Sequence, residues 1–322
     1  MTRPIVTVTR RLPAAVEAEL RESFDVRLNE SDLPMGATDI RRALESSDGL
    51  LCTVTDRLDR TALGSAPVRA RILANFGVGF NHIDLAAARD LDLVVTNTPG
   101  VLTEATAELT ITLMLMVARR VTEGERELRA GKWTGWRPTH LIGRGLTGRT
   151  LGIVGMGRIG RSVARRAAAG LGMEVRYFTR TPRPEDDMLG QRCETLAELL
   201  ATSDVVSLHA PATRETRRMI GGDQFRQMRR DAVLINTARG DLVDEEALAD
   251  ALIEGLLHGA GLDVYEHEPA VHPRLLRVDN VVLLPHLGSA TEAARVGMGR
   301  RALDNLRAFF AGHAPPDVVS AR

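Results

Sequence analysis

Three glycines have the spacing of a phosphate-binding turn. They stand at positions 155, 157 and 160, after the apolar run 151–154 and before a segment whose apolar residues recur at helical spacing. Glycines at this spacing permit a tight turn, close approach of a pyrophosphate and close packing of helix on sheet. The helix then supplies N–H groups to the phosphates. This motif alone is weak evidence, but here both the strand and the helix that it requires flank it. The sequence therefore predicts a dinucleotide-binding loop.

The end of the next predicted strand, Glu174–Phe178, bears on which dinucleotide binds. Proteins that bind NAD usually carry an acidic residue there, about 20 residues after the glycines, to bind the ribose 2′-hydroxyl. Here Thr179, Arg180 and Arg183 follow the strand, and no Asp or Glu stands at its end. Arginine can bind a 2′-phosphate by charge-assisted hydrogen bonds. We therefore predict that NADP(H) is preferred over NAD(H); the competing interpretation is that these are ordinary surface arginines.

Polar residues also follow four later predicted strands, where open parallel sheets bind ligands. Each has a structural interpretation of its own, because an aspartate can cap a loop and a lone histidine is more often structural than catalytic. A cation, an acid and a histidine at one edge of one sheet instead predict a reactive site. The residues at these strand ends are His209 and Pro211; Thr237, Ala238 and Arg239; Asp263, Glu266 and Glu268; and His286 and Gly288.

The elements that must position these residues alternate along the chain. Short apolar runs and helical patterns succeed one another from end to end, which predicts an α/β protein with two doubly wound parallel sheets. A break at Asn97–Gly100 separates two series, and residues 121–148, with both tryptophans, are predicted to be an arm or loop. The predicted strands are 5–9, 24–28, 49–53, 71–75, 93–97, 150–154, 174–178, 205–209, 232–236, 259–264 and 281–284; the long predicted helices are 103–120 and 291–310.

Composition excludes several classes of protein. The 322 residues carry 42 Lys+Arg and 42 Asp+Glu, so no basic surplus indicates a nucleic-acid or membrane partner. The longest apolar run, Leu109–Ala118, is about half the length that crosses a bilayer. Two cysteines form no disulfide framework or zinc pattern, so no metal is predicted. The N-terminal segment lacks the apolar core of a signal peptide, so we expect a cytoplasmic protein.

Five segments together resemble the D-isomer-specific 2-hydroxyacid dehydrogenases, and the likeness runs nearly end to end. They are residues 75–84, the glycine loop, 236–240, 261–269 and 285–291. Within the family the chain is most similar to the glyoxylate/hydroxypyruvate reductases, on the basis of residues 133–136, 177–184 and 280–291. The resemblance implies an NAD(P)H-dependent reduction of small 2-keto acids, such as glyoxylate and hydroxypyruvate, to 2-hydroxy acids.

The resemblance also implies roles for three residues. Arg239 would hold the substrate carboxylate with a two-pronged bond, and His286 would protonate the carbonyl oxygen as hydride arrives. Glu268 would hydrogen-bond His286 and favour its charged form. Glu266 is the rival acid, but the family's acid precedes the proline, as Glu268 does.

A Rossmann dinucleotide-binding domain of residues 101–288 and a flavodoxin-like substrate domain of residues 1–100 and 289–322 are implied as well. Val78 and Gly79 would bind the substrate carboxylate through backbone N–H groups. Trp136 of the arm would reach the active site of the partner subunit in a homodimer, or would only pack between the subunits. The implied cofactor-binding residues are Gly155, Met156, Gly157, Arg158, Ile159, Gly160, Thr179, Arg180, His209, Pro211, Thr216, Thr237, Ala238, Asp263 and Gly288.

The resemblance leaves other activities open. Other dehydrogenases of D-lactate or phosphoglycerate type share the pattern. A co-repressor that senses dinucleotides would keep the fold without the reaction, but the complete set of Arg239, Glu268 and His286 favours an enzyme.

Overall fold

The computed structural model describes residues 3–319. The chain forms two compact units, each with its own parallel sheet. The first unit contains the chain up to Leu102 and returns from Ala290 onward, and the second is Thr103–Ser289.

The first unit has a five-stranded parallel sheet in the order β2-β1-β3-β4-β5. This is the flavodoxin-like order of doubly wound sheets. The central strands are almost wholly buried, as strands covered by helices on both faces must be. Its strands are β1 (Ile5–Val8), β2 (Asp25–Leu28), β3 (Gly49–Thr53), β4 (Ile72–Phe76) and β5 (Val94–Thr96), and its helices are α1 (Ala14–Ser23), α2 (Ala37–Ser46), α3 (Arg60–Leu63), α4 (Leu85–Asp90) and α11 (Glu292–Phe310).

The second unit has a seven-stranded parallel sheet in the order β12-β11-β10-β9-β6-β7-β8. Counted from its first strand this is the Rossmann order, with β6 at the point where the strand order reverses. Its strands are β6 (Thr150–Val154), β7 (Glu174–Phe178), β8 (Gln191–Arg192), β9 (Val205–Leu208), β10 (Val233–Asn236), β11 (Gly259–Leu262) and β12 (Val281–Leu283), and its helices are α5 (Thr103–Ala118), α6 (Val121–Arg129), α7 (Arg158–Leu171), α8 (Leu196–Thr202), α9 (Gly222–Gln227) and α10 (Glu245–Ile253).

The predicted α/β class with two doubly wound parallel sheets is confirmed. The strands of both sheets fall on the predicted runs, apart from the two-residue β8, which is too short to give a pattern. The apolar run Leu109–Ala118 is part of α5, whose Leu113 and Met114 are fully buried. Within residues 3–319, no helix is both long and apolar enough to span a membrane.

One prediction for the arm was wrong, because residues 121–129 form the helix α6 rather than a loop. None of its side chains is buried, so no periodic apolar pattern marks it in the sequence. Arg120 takes a left-handed conformation, with φ of 54°, and separates α6 from α5. Local ion pairs join Arg120 to Glu123 and Arg129 to Glu125, at spacings that support a solvated helix.

Candidate active site

The glycine loop lies between β6 and α7 and has space for a ligand at one glycine only. A Cβ on Gly155, where φ is 98°, would lie 2.8 Å from the backbone of His209 and Ala210. A Cβ on Gly160 would lie 2.4 Å from the carbonyl oxygen of Gly155. A Cβ on Gly157, the N-cap of α7, would have nothing within 4 Å. Two glycines therefore allow close packing, and the third leaves room in front of a helix N-terminus, as a dinucleotide pyrophosphate requires.

The other residues of this loop differ in exposure. The side chain of Met156 is buried in the core, so only its backbone can face a ligand. Arg158 is exposed and Ile159 is half-buried at the start of α7.

Two turns follow the neighbouring strands of the same sheet. After β9, the Nε2 atom of His209 lies 2.9 Å from the hydroxyl of Ser207, and burial lowers the pKa of His209 to about 4. His209 is therefore neutral near pH 7. Further along, Thr216 donates a hydrogen bond to the carbonyl oxygen of Pro211 at 2.7 Å, which closes the turn between them.

After β7, Thr179 is half-buried and Arg180 is exposed. Glu215 lies in the turn after β9. The hydrogen bond from Thr213 is the main cause that lowers the pKa of Glu215, and the positive charge of Arg180 lowers it further. The segment after β7, which carries Arg180, therefore lies near the turn after β9.

The loop after β10 presents Arg239. Asn236 clamps this loop, because its amide nitrogen donates to the carbonyl oxygen of Arg239 at 2.8 Å while its amide oxygen accepts from the N–H of Ala238 at 3.0 Å. A Cβ on Gly240 would lie 1.8 Å from the carbonyl carbon of Tyr265, so only glycine fits there. The hydroxyl of Thr237 lies 2.9 Å from that of Thr110 on α5.

The side chain of Arg239 is half-buried and lies near an acid. Burial lowers its pKa, and the negative charges of Glu268 and Asp241 oppose that effect. Its Nη1 atom donates to the carbonyl oxygen of Ala238 at 2.5 Å. Arginine keeps its charge under such conditions, so a fixed cation faces Glu268.

Glu268 and His286 form a hydrogen-bonded pair. Oε2 of Glu268 lies 2.8 Å from Nδ1 of His286, and Oε1 accepts the backbone N–H of Tyr265 at 3.0 Å. Burial raises the pKa of Glu268, but the hydrogen bonds from His286 and Tyr265 and the charge of Arg239 outweigh it, so the net shift is downward. Glu268 is therefore ionised at neutral pH. The two side chains are 34% and 31% exposed, so Nε2 of His286 is accessible to a small molecule.

Glu266, the rival acid, belongs to a different contact. Its two oxygens accept a fork of hydrogen bonds from Arg218, at 2.9 and 3.0 Å. Its backbone N–H donates to Glu245 at 2.7 Å. The structure thus joins Glu268, and not Glu266, to His286.

Asp263, at the end of β11, holds the loop that carries His286. Its carboxylate accepts the N–H of Leu287 at 2.6 Å and that of Gly288 at 2.7 Å, and its carbonyl oxygen accepts the N–H of His286 at 2.9 Å. Burial raises the pKa of Asp263, although the hydrogen bonds from Leu287 and Gly288 act to lower it. Its carboxylate is thus engaged in closing the loop. From the sequence, loop capping is only the structural alternative for Asp263, and the clamp made by Asn236 was not predicted. Both are hydrogen bonds that Asp and Asn side chains commonly make in turns.

Comparison with known proteins identifies the family. Residues 111–288 match the model of the D-isomer specific 2-hydroxyacid dehydrogenase, NAD binding domain. Glyoxylate reductases of Thermococcus litoralis and Korarchaeum cryptofilum are 42% and 44% identical to the chain, each over 99% of it and over 97% and 96% of their own lengths. The chain belongs to the D-isomer-specific 2-hydroxyacid dehydrogenase family.

Solved structures agree with this assignment. An NADPH-dependent glyoxylate/hydroxypyruvate reductase from Sinorhizobium meliloti, in complex with NADP and malonate, is 35% identical and superposes with a TM-score of 0.87 over 99% of this chain and 97% of that one. A glyoxylate reductase from Paecilomyes thermophila is 31% identical, with a TM-score of 0.86 over 99% of each chain. The dehydrogenase is therefore an oxidoreductase with a nicotinamide dinucleotide cofactor.

In the first unit of the dehydrogenase, Val78 and Gly79 lie in a loop after β4. The carbonyl groups of this loop accept hydrogen bonds from two asparagine side chains. The amide of Asn75 donates to the carbonyl oxygens of Gly77 and Gly79, at 3.0 and 2.9 Å, and that of Asn97 donates to Val78 at 2.8 Å. These bonds fix the orientation of the peptide groups in the loop. Neither asparagine was singled out from the sequence for this role.

The arm of the dehydrogenase, residues 121–148, exposes apolar surface. Trp136 is 82% exposed and Trp133 is 51% exposed, and Leu128 and Ile142 are exposed as well. The isolated chain leaves this surface in water.

Proposed function

We propose that the dehydrogenase reduces glyoxylate and hydroxypyruvate, to glycolate and D-glycerate, with NADPH as the preferred cofactor. The observation that carries this proposal is the pairing of His286 with an ionised Glu268 beside the half-buried cation of Arg239. These are the groups that reduction of a 2-keto acid needs: a proton donor for the carbonyl oxygen and an anchor for the carboxylate. The names of the similar proteins support the choice of substrate.

Arg239 is proposed to bind the substrate carboxylate. A guanidinium presents two parallel N–H donors that match the two oxygens of a carboxylate. Its partial burial strengthens the attraction, because the effective dielectric constant is lower there than in water. Backbone N–H groups of Val78 and Gly79 are proposed to bind the same carboxylate. The result is a fixed position for the keto group.

His286 is proposed to exchange the proton at the substrate oxygen. The nicotinamide, when bound, would supply the hydride for the carbonyl carbon, so the residues of this chain would handle the proton at the substrate oxygen. The Nε2 atom of His286 would donate that proton, while Nδ1 stays bonded to Glu268, which orients the ring. In the reverse direction the neutral ring accepts the proton.

The second unit is proposed to hold the cofactor along the strand ends of its sheet. The glycine loop would hold the pyrophosphate, and His209, Pro211 and Thr216 would line the adenosine side. Thr237, Ala238 and Gly288 would lie toward the nicotinamide. Asp263 would act there by holding the loop of Gly288, because its carboxylate accepts a hydrogen bond from the N–H of Gly288.

The preference for NADPH rests on the segment after β7. Arg180 is exposed, Thr179 is half-buried beside it, and no Asp or Glu that would repel a phosphate stands at the end of β7. A 2′-phosphate would gain charge-assisted hydrogen bonds from Arg180 and a hydroxyl donor from Thr179.

A homodimer is proposed from the arm. Two large tryptophans and the apolar residues beside them are costly to leave in water, and a second copy of the same surface would cover them. Trp136, the most exposed of them, would contribute to the substrate site of the partner subunit.

The central test is turnover. His286→Ala should lower kcat for glyoxylate reduction by about 10²- to 10⁴-fold, because general acid catalysis contributes roughly that much. NADPH affinity should stay near the wild-type value, since the histidine acts in the transition state. The control is His313→Ala, which alters an exposed histidine of the first unit. A wild-type chain that binds NADPH but reduces neither glyoxylate nor hydroxypyruvate would contradict the proposal.

The two glutamates can be separated by turnover. Glu268→Gln removes the charge that faces Nδ1 of His286 and should lower kcat for glyoxylate reduction, because the proposed proton donor loses the carboxylate that orients it. Glu266→Gln, which disturbs the contacts with Arg218 and Arg217, should leave kcat near the wild-type value. A fall in kcat for Glu266→Gln alone would reassign the acid, and no fall for either variant would refute the paired-acid account.

Cofactor selectivity can be tested at Arg180. Arg180→Ala should raise KM for NADPH, at a cost of about 1.5–3 kcal/mol for one lost charged hydrogen bond, and should leave KM for NADH nearly unchanged. Arg226→Ala, on the exposed face of α9, is the matched control for loss of one surface arginine. Equal losses with both cofactors would rule out a bond to the 2′-phosphate.

Assembly can be tested by sedimentation. At micromolar concentration the mass should be about twice that of one chain. Trp136→Ala should raise KM for glyoxylate, whereas Ile253→Ala, at an exposed apolar residue of α10, should not. A fully active monomer would refute both the dimer and the shared site.

A further inference from the structure

The segment that follows β7, residues 179–187, is fastened to the rest of its unit by a buried carboxylate. Asp186 is fully buried, and its Oδ1 atom accepts a hydrogen bond from Nε of Arg161 at 2.6 Å. Its Oδ2 atom accepts the backbone N–H of Arg183 at 3.0 Å. One side chain therefore connects the segment to α7, the helix that starts at the glycine loop.

Arg161 depends on this segment for its charge balance. Its side chain is 16% exposed, and its Nη1 atom lies 3.4 Å from Glu185. Among residues 3–319, its buried Nη2 atom has no hydrogen-bond partner. Loss of the Asp186 charge would leave a buried guanidinium poorly compensated, which is much costlier than loss of a surface ion pair.

A second contact holds the same segment to β7. The hydroxyl of Tyr177 donates to Asp187 at 2.5 Å, and Tyr177 is fully buried. Burial and the neighbouring Asp187 raise the pKa of Tyr177 to about 12, so it is a neutral donor at any physiological pH. Two successive carboxylates thus attach the segment to a helix on one side and to a strand on the other.

This attachment has a consequence for selectivity. An exposed loop loses conformational entropy when it orders around a ligand, and a loop that is already held in place loses less. The exposed Arg180 and Arg183 lie in this segment, and only NADPH offers them a 2′-phosphate.

We propose that the Arg161–Asp186 ion pair is a positioning contact that fixes residues 179–187 for the 2′-phosphate, and that it sets how strongly the dehydrogenase prefers NADPH over NADH. This inference rests on the cofactor preference proposed above. Neither residue touches the phosphate itself; the pair acts through the backbone that it holds.

The test measures the dissociation constants of NADPH and NADH by titration calorimetry on the full chain without substrate. Asp186→Asn should lower the affinity for NADPH by roughly tenfold, the factor that corresponds to about 1.4 kcal/mol, and should leave the affinity for NADH nearly unchanged. Arg161→Lys keeps the charge and one donor, and should retain most of the preference. Asp231→Asn removes a more exposed carboxylate of the same unit, which accepts a hydrogen bond from Arg144 at 2.5 Å, and should not change the ratio.

The outcomes separate the two proposals. A wild-type chain with no preference for NADPH refutes the proposed cofactor, and this inference with it. A wild-type preference that survives in Asp186→Asn, or an equal loss for both cofactors, overturns the ion pair alone. If Asp186→Asn does not fold, as judged by circular dichroism, the comparison uses Arg161→Gln with Arg161→Lys, and an equal ratio in these two variants overturns the proposal.

Discussion

The buried carboxylate of Asp263 is the contact on which the geometry of the site depends. It accepts two backbone N–H groups from the loop of His286, while its own carbonyl oxygen accepts a third. His286 has a φ of 55°, in the left-handed region that a non-glycine residue seldom adopts without support. The three bonds that close the loop offset this cost and fix the direction of the imidazole. Nδ1 then meets Glu268, and Nε2 remains available for a substrate.

Close packing between loops is the second constraint. Gly240 lies against the backbone of Tyr265, and Tyr265 in turn donates its N–H to Glu268. The loop that presents Arg239 and the loop that presents Glu268 are therefore in direct contact, and neither can move far without the other. Gly155 packs in the same way against the turn that begins at His209. Two pairs of loops at the carboxyl edge of one sheet are thus packed together: the glycine loop with the turn after β9, and the loop of Arg239 with the loop of Glu268.

Both the sheets and their strand-end residues could be predicted from the sequence, because they follow from local patterns. Buried parallel strands appear as short apolar runs, and polar residues directly after them must lie at the carboxyl edge. What could not be predicted depends on contacts between distant segments. No local signal indicates that Asp186 reaches Arg161 across 25 residues, or that Asn97 holds the carbonyl oxygen of Val78. Helix α6 was missed for a different reason, since only Val121 and Leu128 of its nine residues are large and apolar, which is too few to show a helical period.

The contrast between Glu266 and Glu268 shows how two similar acids two residues apart come to differ. The N–H of Glu266 is bound by Glu245 and its side chain by Arg218, which direct it away from the histidine. Residues 265–268 form a turn in which the Glu268 carboxylate accepts the N–H of Tyr265. This bond orients the carboxylate toward His286. Glu268 keeps a third of its surface in water, whereas the Glu266 side chain is 5% exposed. Partial exposure weakens the Glu268–His286 pair as a source of stability, since solvent screens it. Partial exposure also suits the proton exchange proposed for this pair, because the imidazole would have to regain its proton from water after each turnover. The Glu266 carboxylate, which is more deeply buried, instead connects its loop to Arg218.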